Sequence, residues 1–117
     1  MNLRNTAGFL AAALWCCNIA LAEHGGPPTP GQPLIIDVRT AAEYQQAHIR
    51  QAINVPFDQI NGRIAALTAD RDAHIVLYCR SGRRSGIAEQ TLRQLGYRQV
   101  ENRGGLHDMQ RSGYQTD

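Results

Sequence analysis

The residues best placed to do chemistry in this chain are Cys79-Arg80-Ser81-Gly82-Arg83-Arg84-Ser85. They follow an apolar run, Ile75-Val76-Leu77-Tyr78, and precede a segment with helical spacing. A strand that ends in a cysteine and turns through a glycine into a helix sets a thiol against the helix's first amides. There the backbone dipole favours negative charge. The thiolate is the reactive form of cysteine, and such surroundings bring its pKa from about 8.5 to about 3.5–7.5. A free cysteine is ordinarily a small buried hydrophobe, a role that has no use for three neighbouring arginines. Burying their charge is costly, whereas an anion-binding loop uses it. The loop reads as a reactive thiol that meets a small anion.

The elements that must position this loop alternate between two periods. Leu34-Ile35-Ile36-Asp37-Val38 is a continuous apolar run, as in a buried parallel strand. Thr40 with Glu43 forms a capping-box pattern that starts a short helix through Gln46. Ala52 to Val55 reads as a second short strand closed by Pro56. Phe57, Ile60, Ile64 and Leu67 recur at helical spacing, so a helix is expected over 57–67, with Gly62 as a blemish in its interior. His74 to Tyr78 is the third strand and the expected sheet centre. Ala88, Leu92 and Leu95 line a helix over 84–95 that Gly96 stops. Tyr97 to Glu101 is the expected last strand, and Gly104-Gly105 leads into a final short helix. Strands alternating with helices predict an α/β fold: a parallel sheet covered on both faces, with ligands bound outside the carboxyl ends of the strands. Cys79 stands at such an end.

The chain's 117 residues suffice for one small domain. Residues 1–22 read as a secretory signal peptide: Arg4 gives the positive start, Ala7 to Cys17 are uncharged and largely apolar, and Ala20-Leu21-Ala22 offers small residues for cleavage. The apolar stretch falls short of the roughly 20 residues a membrane span needs, so no stable membrane association is expected after cleavage. Cleavage after Ala22 removes Cys16 and Cys17 and leaves Cys79 alone, which in an exported protein points to a free reactive thiol. Residues 23–33, rich in glycine and proline, read as a flexible leader, and 34–117 as the functional domain. Past Ala22 the chain has 11 arginines, no lysine and 10 acidic residues, so it is near neutral. It has no basic run or aromatic platform for nucleic acid. His24, His74 and His107 show no metal-ligand spacing, and no cofactor motif is present.

Taken together the motifs resemble a rhodanese domain. Asp37-Val38-Arg39, Glu43-Tyr44, His48-Ile49 and Ala52 to Pro56 follow that family's N-terminal pattern, and Cys79 to Ser85 its active-site loop. Leu95-Gly96-Tyr97 and Gly104-Gly105-Leu106 follow its C-terminal landmarks. The likeness covers about residues 34–110. The short N-terminus, the signal segment and the stretch from Glu101-Asn102 to Leu106 are most similar to small periplasmic rhodaneses of the phage-shock-protein E type. Gln51 stands where the family usually has glycine, and the usual tryptophan after Gly104-Gly105 is missing, with Met109 nearby. The resemblance implies a rhodanese-like fold with a small sheet of four strands, no cofactor, a monomer, and a periplasmic thiosulfate sulfurtransferase. Cys79 would be its nucleophile.

Three chemistries compete as readings of the loop. In sulfur transfer, Cys79 attacks thiosulfate, releases sulfite and becomes a persulfide that a thiophilic acceptor discharges. The amides from about Arg80 to Ser85, Ser81 included, would cradle the sulfur as an anion-binding nest, and Gly82 would permit the bend. Arg80 or Arg83 would attract the dianion, and Arg84 would hold the loop or bind substrate. Asp37, at a neighbouring strand end, is expected near the loop in structural support, within reach of one of its arginines; Arg39 is grouped with it. A phosphatase or arsenate reductase needs a longer loop, with arginine six residues after the cysteine. Here that position is Ser85, and the arginine arrives one early. A persulfide carrier that hands sulfur to a partner protein needs the same loop as the enzyme. His48 is expected to be structural.

Overall fold

In the computed structural model the described residues are 31–117. The expected signal segment, and the expected leader up to residue 30, lie outside them. The strands are β1 (Leu34–Asp37), β2 (Ile53–Asn54), β3 (His74–Cys79) and β4 (Gln99–Gly105). The helices are α1 (Ala41–Gln46), α2 (Ile60–Leu67), α3 (Arg83–Gln94) and α4 (Leu106–Arg111). The four strands form one parallel sheet in the order β2-β1-β3-β4. Cys79 therefore ends a central strand, as the sequence predicts.

Side chains alternate across the sheet, and each face has its own core. Leu34, Ile36, Ile75, Leu77 and Cys79 face one side, where Ile60 and Ile64 of α2 and Ala88 and Leu92 of α3 cover them. Ile35, Val76 and Tyr78 face the other, against Met109 and Leu106 of α4 and Tyr44 of α1. Helices on both faces explain why β1 and β3 read as unbroken apolar runs.

Several boundaries differ from expectation for local reasons. The helix expected over 57–67 begins only at Ile60. Phe57 bonds back to Val38 and Gln59 to Pro56, which holds residues 56–59 as a turn. Gly62 thus lies in the first turn of α2, where its amide bonds Gln59 rather than a partner four residues back, and it is not an interior defect. The last strand starts later and runs further than expected. Helix α3 ends in a Schellman arrangement, with Gly96 at φ +98° and the amides of Gly96 and Tyr97 bonded to Arg93 and Leu92. That turn consumes Tyr97 and Arg98, and pairing begins at Gln99. Pairing then continues through a bulge: Leu77 faces Asn102, but Cys79 faces Gly105. The extra residue on β4 follows Asn102 and brings Gly105 alongside the end of β3.

Asp37 is fully buried and accepts from four donors: the Arg39 amide, Nε and Nη2 of the Arg39 guanidinium, and the Tyr78 hydroxyl. Tyr78 in turn accepts from the Ile49 amide at 3.0 Å. The expected reach of Asp37 to a loop arginine is not what forms. Arg39, two residues on, fills its coordination first, and the carboxylate lies on the Tyr78 side of the sheet, away from the thiol. Arg39 also donates to the Ala47 carbonyl, so the pair joins β1 to the end of α1.

Candidate active site

Cys79 is 1% exposed at the end of β3, and its sulfur is met by the loop that follows. Arg80 and Ser81 turn the chain outward, and Gly82 adopts φ +102°, a left-handed conformation that suits glycine. Helix α3 starts at the next residue, so its first amides point back at the thiol. The Gly82 amide donates to Sγ at 2.9 Å, and Ser85 Oγ lies 3.4 Å from it. Burial pushes the thiol pKa up, but hydrogen bonds from the Ser85 hydroxyl and from the amides of Ser85, Gly82 and Ser81 outweigh it and bring it down to about 7. The leading stabilisers of the anion are thus neutral dipoles rather than arginine charges.

The loop is seated on β4 with no space to spare. A Cβ on Gly105 would stand 2.0 Å from the Arg80 carbonyl oxygen, so only glycine fits beneath the loop. Asn102, which the sequence marks only as part of a family landmark, holds the loop from the side. Its Nδ2 donates to the Gly82 carbonyl at 3.0 Å, and its Oδ1 accepts from Ser85 Oγ at 2.7 Å and from the Gly104 amide at 3.0 Å.

The three arginines divide into two kinds. Arg84 is half-buried and forms a two-pronged pair with Glu43, at 2.9 and 3.1 Å. The Arg84 bonds, followed by the Thr40 contacts, hold the Glu43 carboxyl at about 2 against a smaller opposing effect of burial. Glu43 also completes the predicted capping box, accepting from the Thr40 amide at 3.0 Å while its own amide bonds Thr40 Oγ1 at 3.2 Å. It therefore ties α1 to the cysteine loop. The capping pattern accounted for Glu43 fully at the level of sequence, and nothing there pointed to a partner 41 positions away.

Arg80 and Arg83 are exposed and have no partner among the described residues. Every other described arginine is bonded to an oxygen: Arg50 to Asp117, Arg63 to Gln59, Arg71 to Leu95, Arg93 to Glu89, Arg98 to Asp72, Arg103 to Glu101 and Arg111 to Asp108, besides Arg39 and Arg84. The two uncommitted guanidinium groups thus stand together on the loop of the reactive thiol. His48 is not among these groups; its ring stacks on Tyr44 at 3.7 Å and its Nδ1 bonds the Tyr44 carbonyl. A buried thiol near pKa 7, ringed by amides and flanked by free cations, can attack an anionic electrophile and stabilise the anion that results.

Residues 22–111 match the family model described as Rhodanese-like domain. The thiosulfate sulfurtransferase PspE of Escherichia coli (strain K12) is 45% identical over 103 residues, covering 87% of this chain and 89% of that protein. A sulfurtransferase of Allochromatium vinosum is 43% identical over 81 residues, covering 68% of this chain and 74% of its own length. Among solved structures, a rhodanese with anions from E. coli superposes with a TM-score of 0.69 at 38% identity, covering 74% of this chain and 98% of that one.

Proposed function

The chain belongs to the rhodanese-like domain family, and from that premise we propose that it moves sulfane sulfur from thiosulfate to a thiophilic acceptor through a persulfide on Cys79. The observation that carries this reading is the cradle itself: Sγ takes the Gly82 amide at 2.9 Å in a loop whose Arg80 and Arg83 are uncommitted. Those two guanidiniums draw the thiosulfate dianion to the loop. The Cys79 thiolate attacks the outer sulfur. A new S–S bond forms to Cys79, the old S–S bond breaks, and sulfite leaves with its electron pair. No proton has to move, which suits a thiol that among the described residues meets the Ser85 hydroxyl and the Gly82 amide and bonds no histidine or carboxylate. The terminal sulfur of the persulfide carries the negative charge and lies among the same amides. The acceptor then attacks that sulfur and returns Cys79 to the thiolate. Arg84, committed to Glu43, holds the loop rather than the substrate.

The remaining assignments rest on sequence. Arg4, the stretch Ala7 to Cys17 and Ala20-Leu21-Ala22 support export to the periplasm with cleavage after Ala22, leaving Glu23 to Asp117, of which 34–117 is the functional domain and acts as a monomer. Among the described residues no helix is long and apolar enough to cross a membrane. N-terminal sequencing of exported protein should begin at Glu23; a full-length chain in the membrane fraction would contradict this.

Steady-state turnover tests the reaction. With thiosulfate and a small thiophilic acceptor such as cyanide, the purified protein should release many equivalents of sulfite per chain, and Cys79→Ser none. A single equivalent, with release only on adding a partner protein, would indicate a carrier. Efficient hydrolysis of an aryl phosphate in place of sulfur transfer would overturn the reading of the loop.

A further inference from the structure

The bonds of Asn102 fix where a single hydrogen must be. Its amide orientation follows from its surroundings, because the Gly82 carbonyl can only accept and the Gly104 amide can only donate. Oδ1 therefore faces Ser85, and the hydrogen in the 2.7 Å contact between them belongs to the Ser85 hydroxyl. A hydroxyl has one hydrogen. While that hydrogen points at Asn102, the 3.4 Å contact between Ser85 Oγ and Cys79 Sγ can be filled only by the thiol's own hydrogen. Once Cys79 loses its proton, the same hydroxyl must turn from Asn102 to the sulfur if it is to stabilise the anion. Oδ1 is not orphaned by that turn, since the Gly104 amide stays on it.

We propose that Asn102 is a positioning residue for Cys79: it keeps the Ser85 hydroxyl hydrogen while the sulfur is a thiol and yields it when the sulfur carries charge. Its Nδ2 meanwhile anchors the carbonyl of Gly82, the residue whose amide is the short donor to Sγ. The charged groups around the thiol do not provide this coupling. Arg80 and Arg83 are exposed to solvent, Arg84 and Glu43 are paired, Asp37 and Arg39 are paired at the end of β1, and Asp108 at the start of α4 bonds Gly105 and Arg111. None of them hydrogen-bonds the side chain of Ser85 or Asn102. The regular β3–β4 register sets Asn102 opposite Leu77, two residues before the thiol, and so places its side chain beside the loop.

The inference deepens the sulfur-transfer reading, but its test needs no sulfur donor and so can fail separately from that reading. The thiol pKa is read from thiolate absorbance against pH, as a difference from Cys79→Ser so that tyrosines and other cysteines cancel. In Asn102→Asp the carboxylate keeps the hydroxyl hydrogen, and the pKa should rise by about one unit, the order of a lost bond to a charged group. In the Ser85→Ala background the same substitution should shift it by clearly less. An equal shift in both backgrounds would mean that the introduced carboxylate acts only by its own charge, and would overturn the proposal. The wild-type chain gives a second reading that does not depend on the variant folding. The Gly104 amide resonance should titrate with the midpoint of Cys79 and lose most of that movement in Ser85→Ala. A Gly104 resonance that stays still in wild type, or moves equally in both proteins, would also overturn it.

Discussion

The reactivity of Cys79 comes from neutral donors more than from the arginines beside it. With a thiol pKa of about 7, half of the molecules are thiolate near neutral pH. The single-turnover rate of sulfite release should rise with pH through a midpoint near that value, because only the thiolate attacks. A rate independent of pH across the neutral range would contradict it. Removing the Ser85 hydroxyl with Ser85→Ala should move the midpoint up, since the lowering bond is lost while the burial that opposes it remains. At this scale the sequence was most legible for groups close together in the chain: the cysteine, the glycine bend and the arginines lie within a single heptapeptide. It was least legible for Asn102 and Glu43, whose contacts to the loop span 17 to 41 positions and depend on the register of β4 against β3 and on where α1 begins. Neither leaves a mark in local spacing. Asp37 was expected within reach of a loop arginine, but its partner is Arg39, which reaches it from two residues away.

At the scale of the elements, α1 and β4 work as clamps on the loop between β3 and α3. Glu43 joins α1 to Arg84, and its carboxyl is held at about 2, below the ordinary 4.5. A depressed folded-state pKa means that its contribution to stability is complete above about 4.5 and is lost as pH falls through about 2. Glu43→Gln keeps the capping pattern and removes the charge. It should therefore be less stable than wild type in urea at neutral pH, by about 1 kcal/mol or less for a pair partly open to solvent. The two unfolding curves should converge as pH falls toward 2. A gap that is constant with pH would rule out the ion pair as its source. On the other side, Gly105→Ala sets a methyl 2.0 Å from the Arg80 carbonyl. Overpacking of this kind costs about 1–3 kcal/mol, and here it should displace the loop, so thiosulfate turnover should fall far more than the urea midpoint does. Unchanged turnover would show that the loop seats differently. The capping box, the alternation of strands and helices and the stop at Gly96 were all readable, because each depends on neighbours within one turn. The start of α2 and the reach of β4 were not, since backbone bonds to Val38 and the bulge opposite Cys79 set them.

For the whole molecule, the parallel order β2-β1-β3-β4 puts the end of β3 at the middle of the sheet's carboxyl edge, and all else converges there. A sheet of four strands followed from the resemblance, and the covering on both faces from the alternation of strands with helices. The order and register of strands, by contrast, depend on pairings no local pattern encodes. Under that edge the buried Asp37–Arg39–Tyr78 cluster joins β1, β3 and the segment at Ile49. Asp37→Asn would leave the Arg39 charge without its counter-ion and should cost about 3–5 kcal/mol in urea unfolding, an effect on stability rather than on the chemistry of any folded fraction. The central claim is that sulfur is held covalently on Cys79. Intact-mass measurement after incubation with thiosulfate and removal of excess donor tests it most directly. Wild type should gain the mass of one sulfur atom and lose it again on adding a thiophilic acceptor, while folded Cys79→Ser should gain nothing. Equal sulfur loading of the Cys79→Ser protein, or no loading of wild type despite active turnover, would contradict the account.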